Sequence, residues 1–350
     1  AAALGGLAVL SDLRTGLPSS ADEKNGADGA AAFRFGNGED VIATVVAEAS
    51  STAEFLDRWR VPGEQASRSW EERFGLQIYT PLIADTVTRV LAEAGLEQAD
   101  HVIVSSPHAR TAAATVKRHA GRVPSAEGGL GYAGAADAGL KLASVLDRAG
   151  PGESILLISA ADGCDALVLR TTDALPARRA ALPVLPQLQG GRDVLYATYL
   201  TWRGLLDREP PRRPEPDRPA GPPSARSEAW KFALVGSRCT NCDFVSLPPL
   251  RVCKSCHHID EMQPITLSQA QGTVATFTVD RLAFSPSPPM INAVVDFDGG
   301  GRYTLEVADA SPAEVEIGTR VQMSFRRLYT VEGIHNYFWK ATVVPAAEGD

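Results

Sequence analysis

Cys239-Thr-Asn-Cys242 and Cys253-Lys-Ser-Cys256 are two CxxC pairs separated by ten residues. Two such knuckles bring four thiolates together, and four thiolates suit Zn²⁺, a borderline-soft d¹⁰ ion that they close tetrahedrally. A closed site leaves no position for a substrate, so the expected role is structural, worth about 10–16 kcal/mol of apparent binding energy in small domains. Disulfides are the competing use. The sequence holds five cysteines, an odd number, and its first residues carry no basic n-region or cleavage site, which favours metal. A redox dithiol suits either pair alone, and the presence of the second pair makes it a minor reading. His257 and His258 are alternative donors to Cys256 and rank behind it. The remaining thiol, Cys164, reads as a small buried core residue.

A second candidate is His108. It stands where a short buried strand, His101–Ser105, passes into a helix opening at Pro107. An imidazole held there is aimed at a cleft and can polarise a carbonyl or move a proton near neutral pH. Sequence alone favours a histidine that caps the helix and does nothing more. His101 and His119 read as surface or packing residues. Gly129-Leu-Gly131-Tyr-Ala-Gly134 fits GxGxxG, but a dinucleotide site needs a strand directly before the turn and an acidic residue about 20 positions later. A helix and a loop precede it instead, so no nicotinamide cofactor is expected.

The elements that must position these groups fall into two regions. In the first, Val41–Ala49 reads as a strand and Ile78–Gly95 as a helix with Ile78, Leu82, Ile83, Val87, Val90 and Leu91 on one face, stopped at Gly95. Residues before the strand Leu7–Leu10 read as the end of a helix, so the chain is expected to be a fragment. The helix from Pro107 is expected to run to about Ala120, with another over Ala133–Ala149 ended by Gly150-Pro151-Gly152. Strands follow at Ser154–Ser159 and Asp165–Arg170. Alternating helices and buried strands make a layered α/β domain. Between Glu209 and Arg226, seven of eighteen residues are proline, which predicts an extended spacer without helix or sheet. After the cysteines come five strands, Gly272–Phe284, Ile291–Phe297, Tyr303–Val307, Arg320–Tyr329 and Asn336–Val344, with a hairpin turn at Asp298-Gly299-Gly300-Gly301. Five short strands suit an all-β OB-fold barrel. The expected organisation is an α/β domain over 1–200, a linker over 201–229, a zinc ribbon over 230–264 and the barrel over 265–350.

From Trp230 onward, the two knuckles, Pro248-Pro249 between them and Gly272-Thr273-Val274 opening the barrel resemble the DUF35 family of rubredoxin-like zinc ribbon plus OB-fold proteins. That resemblance implies association with thiolase-superfamily enzymes and help in handling acyl-CoA. Residues 1–172 look like the later portion of a thiolase-fold enzyme of the hydroxymethylglutaryl-CoA synthase and ketoacyl synthase III kind. The motifs that carry this are Ser11-Asp12-Leu13-Arg14, Gly26-Ala27-Asp28-Gly29-Ala30-Ala31-Ala32, Ser106-Pro107-His108, Gly131-Tyr132-Ala133-Gly134-Ala135-Ala136, the run from Pro151 to Leu157, and Asp162-Gly163-Cys164-Asp165-Ala166. The resemblance implies that His108 is the catalytic histidine and that Tyr132 replaces the family's usual Asn, either donating a proton or filling the pocket. It also implies that the acyl-accepting cysteine lies in an earlier half of the fold that this sequence does not contain; Cys164 does not match it.

The expected function is therefore an acyltransferase that makes or breaks a carbon–carbon bond on an acyl-CoA thioester, with the ribbon and barrel as a fused platform for coenzyme A or a partner. Homo-oligomers or a thiolase-family partner are implied. A non-catalytic accessory subunit beside a complete thiolase is the alternative. A nucleic-acid binder comes third, because it needs a basic groove with stacking aromatics. Phe325, Tyr329, Tyr337, Phe338 and Trp339 supply aromatics that read more simply as barrel core. From Trp230 on there are ten Lys or Arg against thirteen Asp or Glu, and the whole chain has a formal net charge of −8, which opposes phosphate binding. No apolar run approaches the roughly 18 residues of a membrane span, and a cytoplasmic protein is expected.

Overall fold

A computed structural model describes residues 5–64, 66–123, 129–189, 191, 193–209, 212–285 and 287–344. The residues before Gly5, where a helix end is expected, lie outside this set. The chain divides into two compact units, Ala1–Asp193 and Val194–Asp350.

The first unit contains β1 (Gly6–Asp12), α1 (Ala21–Asn25), β2 (Gly29–Phe35), β3 (Ala43–Thr52), β4 (Arg58–Trp59), β5 (Arg68–Ser69), α2 (Glu72–Ala94), β6 (His101–Ser105), α3 (Ala109–Arg118), α4 (Asp137–Leu146), β7 (Ser154–Ser159), β8 (Gly163–Thr171) and α5 (Val184–Gln189). Four of the strands form a sheet in the order β3-β8-β7-β6, with β6 and β7 parallel and the other pairs antiparallel. Every residue of β6 is buried, as both faces are covered. Because strand side chains alternate, Val102 and Val104 join the core under α2, made of Tyr79, Ile83, Val87 and Val90. Ile103 points the other way, into the core of Leu142, Val145 and Leu146 from α4. Each such aliphatic side chain contributes about 1.5–3 kcal/mol by leaving water, so the two cores hold the sheet as the middle layer. A separate hairpin pairs β1 with β2.

The structure corrects the sequence reading at three places in this unit. Helix α2 begins six residues before Ile78, runs through Pro81 and leaves Ile78 exposed, while Gly95 ends it in the left-handed conformation as expected (φ 66°). Helix α3 starts at Ala109 with His108 as its N-cap, so Pro107 lies outside the helix, and it ends at Arg118. The Ala133–Ala149 helix opens with one 3₁₀ turn, Gly134–Ala136, and ends at Leu146.

The second unit contains α6 (Tyr196–Trp202), α7 (Gly221–Arg226), α8 (Glu228–Ala233), β9 (Val235–Cys239), β10 (Val245–Ser246), β11 (Met262–Thr266), β12 (Gln271–Asp280), β13 (Met290–Phe297), β14 (Arg302–Ala308), β15 (Arg320–Val331) and β16 (Ile334–Val343). Helix α7 falls inside the proline-rich stretch and corrects its reading as wholly extended. Its prolines, Pro222 and Pro223, occupy the first turn, where a missing N–H breaks no helical bond. Strands β10-β9-β11 form the ribbon sheet, and β12-β13-β14-β16-β15 close into a barrel. The β13–β14 turn has Gly299, Gly300 and Gly301 all at positive φ. A Cβ on Gly301 would lie 2.5 Å from Leu247 Cδ1, so this turn presses directly on the ribbon. Ribbon residues Leu234, Val245 and Leu247 accordingly share one core with Val274, Ile291, Val295 and Leu305 of the barrel.

Candidate functional site

The two knuckles are built alike. Cys239 and Cys253 each offer their carbonyl to the N–H four residues on, of Asp243 and His257 at 3.0 Å. Asp243 and His257 take positive φ, 58° and 62°, which folds each loop back over its sulfurs. His257 is thereby occupied as a turn residue, and His258 accepts the Cys253 N–H through its carbonyl at 3.0 Å. The four Sγ atoms lie within 4.8 Å of one another. Cys239 to Cys256 and Cys242 to Cys253 are both 3.6 Å. Zn–S bonds of about 2.3 Å place tetrahedral sulfurs about 3.8 Å apart, so the four residues fit zinc. The His258 N–H, with Asn241 second, pushes the Cys256 thiol down to about 5. At Cys242 the Phe244 N–H acts in the same sense, but the Cys256 and Cys253 sulfurs outweigh it and raise that thiol to about 11. Sulfurs this close resist ionising together, and a bound dication removes the conflict.

In the first unit His108 is buried, 5% exposed, at the N-terminus of α3. Thr111 N–H donates to His108 Nδ1 at 3.1 Å, with Thr111 Oγ1 2.7 Å from the same nitrogen. Nδ1 is therefore the acceptor, and the proton sits on Nε2, which donates to the Glu72 carbonyl at 2.6 Å. The place where a cleft was expected is filled by the first turn of α2. That turn passes so near that a Cβ on Gly75 would lie 2.5 Å from His108 Cδ2 and 2.9 Å from Asp57 Oδ1. Capping, which the sequence alone favoured, is what this geometry displays.

Sequence reasoning missed Asp57 and Tyr79 beside His108. Asp57 is 4% exposed; burial raises its carboxyl above the ordinary range, partly offset by the nearby His108 and Arg58. Tyr79 packs 6.1 Å from the imidazole, centroid to centroid, and its hydroxyl accepts the Asp162 N–H at 3.2 Å. The sequence carried no signal for them, because Gly75, whose missing side chain allows the close approach, lies ahead of the expected helix start at Ile78.

Tyr132 is half-buried on the loop before α4. Its N–H donates to the Asn25 carbonyl at 2.7 Å and its carbonyl accepts the Ala27 N–H at 3.0 Å, which ties the loop to the end of α1. Burial, reinforced by Asp137, raises the phenol to about 12. The Arg14 guanidinium lies 5.4 Å from its ring centroid. Among the described residues no hydrogen bond or ring contact joins Tyr132 to His108. Arg58, which clasps Asp22 through Nη1 at 2.6 and 2.7 Å, acts electrostatically on both Tyr132 and Asp57.

The other candidates are placed as follows. Cys164 is 1% exposed and its thiol is raised to about 11 by burial, which suits a core role. His101 is buried and bonds Glu153 at 2.7 Å. His119 caps the C-terminal end of α3, and burial lowers its pKa. Gly131 of the GxGxxG run packs on the Asn25–Gly26 backbone, where a Cβ would meet carbonyl oxygens at 2.8 and 2.9 Å. The barrel aromatics divide. Phe338 and Trp339 pack against the core. Phe325 and Tyr337 instead stack on the surface at 5.8 Å, 39% and 38% exposed, which corrects their reading as core. Among the described residues no helix is long and apolar enough to cross a membrane.

The two units thus define an α/β layered domain and a four-cysteine ribbon fused to an OB barrel. Residues 232–262 match the rubredoxin-like zinc ribbon domain of ChsH2, and residues 265–326 match the C-terminal OB-fold domain of ChsH2. A DUF35 domain-containing scaffold protein of Methanocaldococcus jannaschii is 34% identical over 101 residues, 28% of this chain and 71% of that protein. The chain belongs to the DUF35 family. A hydroxymethylglutaryl-CoA synthase of Archaeoglobus fulgidus is 32% identical over 211 residues, 57% of this chain. The chain spans 60% of that synthase. Among solved structures, the hydroxymethylglutaryl synthase of the curacin biosynthetic pathway in complex with an acetyl donor carrier protein aligns at a TM-score of 0.45 and 17% identity, covering 57% of this chain and 55% of that one.

Proposed function

We propose that the chain is part of an acyl-CoA acyltransferase of the thiolase or hydroxymethylglutaryl-CoA synthase type that forms or cleaves a carbon–carbon bond. The observation that carries this reading is the joining, in one chain, of a synthase-like α/β region to a DUF35 ribbon and barrel. In it His108 is the proton-moving group, using the Nε2 proton that now rests on the Glu72 carbonyl. Engagement of a thioester requires the first turn of α2 to release that proton. The thiolate that accepts the acyl group comes from outside these residues, since Cys164 is buried and its thiol is held protonated. Zinc fixes the ribbon against the barrel, which serves as the platform for coenzyme A or for a thiolase-family partner.

The burial of His108 under α2 favours a second reading, an accessory subunit whose α/β unit only docks. Replacing His108 by Ala in the full-length protein separates the two. The first reading expects turnover to fall by at least a hundredfold, as loss of a general acid–base group does, with zinc still at one per chain. Unchanged turnover assigns the chemistry to a partner.

A further inference from the structure

Asp137 and Lys141 lie one turn apart at the start of α4, beneath the Tyr132 loop. The Asp137 side chain is fully buried and that of Lys141 is 12% exposed, with Nζ 2.9 Å from Asp137 Oδ2. That oxygen lies in a poor direction for a hydrogen bond, so the attraction is chiefly between charges. The two carry their directional bonds elsewhere. Asp137 Oδ1 accepts the Ala133 N–H at 3.1 Å, immediately after Tyr132. Lys141 Nζ donates to the Val104 carbonyl at 2.9 Å, in the strand that leads through Ser105, Ser106 and Pro107 to His108. Ser105 gives its carbonyl to Ala160 at 2.8 Å, on the β7 side. Alternation along the strand therefore turns the Val104 carbonyl to the open edge of β6, where Lys141 meets it.

A buried ion pair stabilises little beyond apolar side chains of the same volume. What this pair supplies is direction, because each partner grips one backbone atom of a different candidate segment. We infer that Asp137 and Lys141 are a positioning pair that fixes the Tyr132 loop against the β6 strand carrying His108. Its purpose rests on the acyl-CoA reading above; the coupling of the two segments does not. With the pair intact, the Tyr132 phenol and the His108 imidazole are held at one separation while substrate sits between or beside them. Without it the loop can move along the sheet edge while the core stays packed.

The test uses the full chain with ¹⁵N-labelled histidine and ¹³C-labelled tyrosine, comparing wild type with Lys141→Met and with Asp137→Asn/Lys141→Met. The double variant leaves no lone buried charge and keeps an acceptor for Ala133, so it folds even where the single one does not. The expected result is altered His108 ring signals in both variants, with the Tyr132 ring signals shifted in Lys141→Met, where the Asp137 charge that raises the phenol is kept. Where turnover is measurable, kcat falls about tenfold or more with KM nearly unchanged, as misplacement of reacting groups predicts. His108 signals identical to wild type in the double variant, with only the melting temperature changed, would overturn the inference. Failure of acyl-CoA to perturb either signal in wild type sinks the functional reading instead, and the His108 ring signals of the unliganded variants still decide the coupling.

Discussion

Gly75→Ala puts a methyl group where the structure has none to spare. The added Cβ falls 2.5 Å from His108 Cδ2, 2.7 Å from Nε2 and 2.9 Å from Asp57 Oδ1. Ordinary carbon contacts need about 3.5–4.0 Å, so the ring or the helix must yield by about 1 Å. The ring is tethered at both nitrogens, to Thr111 and Glu72, and cannot swing aside freely. Alanine gains about 1 kcal/mol over glycine in a helix. Overpacking costs about 1–3 kcal/mol, and losing the His108 bond to Glu72 costs about 1 kcal/mol more. The sum is a net destabilisation of about 1–3 kcal/mol. Urea unfolding measures it, and ¹⁵N spectra of the imidazole report whether Nε2 still donates. A variant as stable as wild type, with its His108 signals unmoved, would refute the close packing of α2 on the imidazole.

Zinc removal and acid give two further expectations. Cys253→Ser should lower zinc content below one per chain and loosen the ribbon, while the first unit keeps its own melting transition; zinc analysis with domain-resolved calorimetry checks both. Asp100 accepts bonds from Ser154 N–H and Oγ at 2.8 and 2.7 Å, and the backbone bond first, with the Ser154 hydroxyl and Arg122 after it, holds its carboxyl below the usual 3.8 against the opposing effect of burial. A lowered carboxyl pKa stabilises the fold above 3.8 and loses that contribution as pH falls through the lowered value. The stability gap between wild type and Asp100→Asn should thus be full at pH 6 and shrink below pH 3.8, and a gap independent of pH would contradict this.

Much of the architecture is legible because burial leaves periodic marks. Strand β7 has the residues that its apolar run indicated, and the barrel strands differ from expectation mainly at their ends. The zinc site is legible because its four donors lie in two short local motifs. The surroundings of His108 are not. Glu72-Arg73-Phe74-Gly75 shows no apolar repeat, and only tertiary packing makes that stretch the first turn of α2 and brings Asp57 to the imidazole. Phe325 and Tyr337 illustrate a different limit. Their strands alternate as expected, but both faces of the β15–β16 hairpin carry aromatics, so the sequence pattern alone does not tell which face is core. Helix α7 escaped notice because proline breaks helices in their interior and begins them at their first turn.

The most direct test of the account is hydrogen–deuterium exchange of the full-length protein with and without an acyl-CoA thioester. Handling of the thioester by the α/β unit predicts changed exchange at the first turns of α2 and α3 and in the loop around Tyr132, with lesser changes on the barrel. Exchange that changes only in the ribbon and barrel, or nowhere, would contradict it.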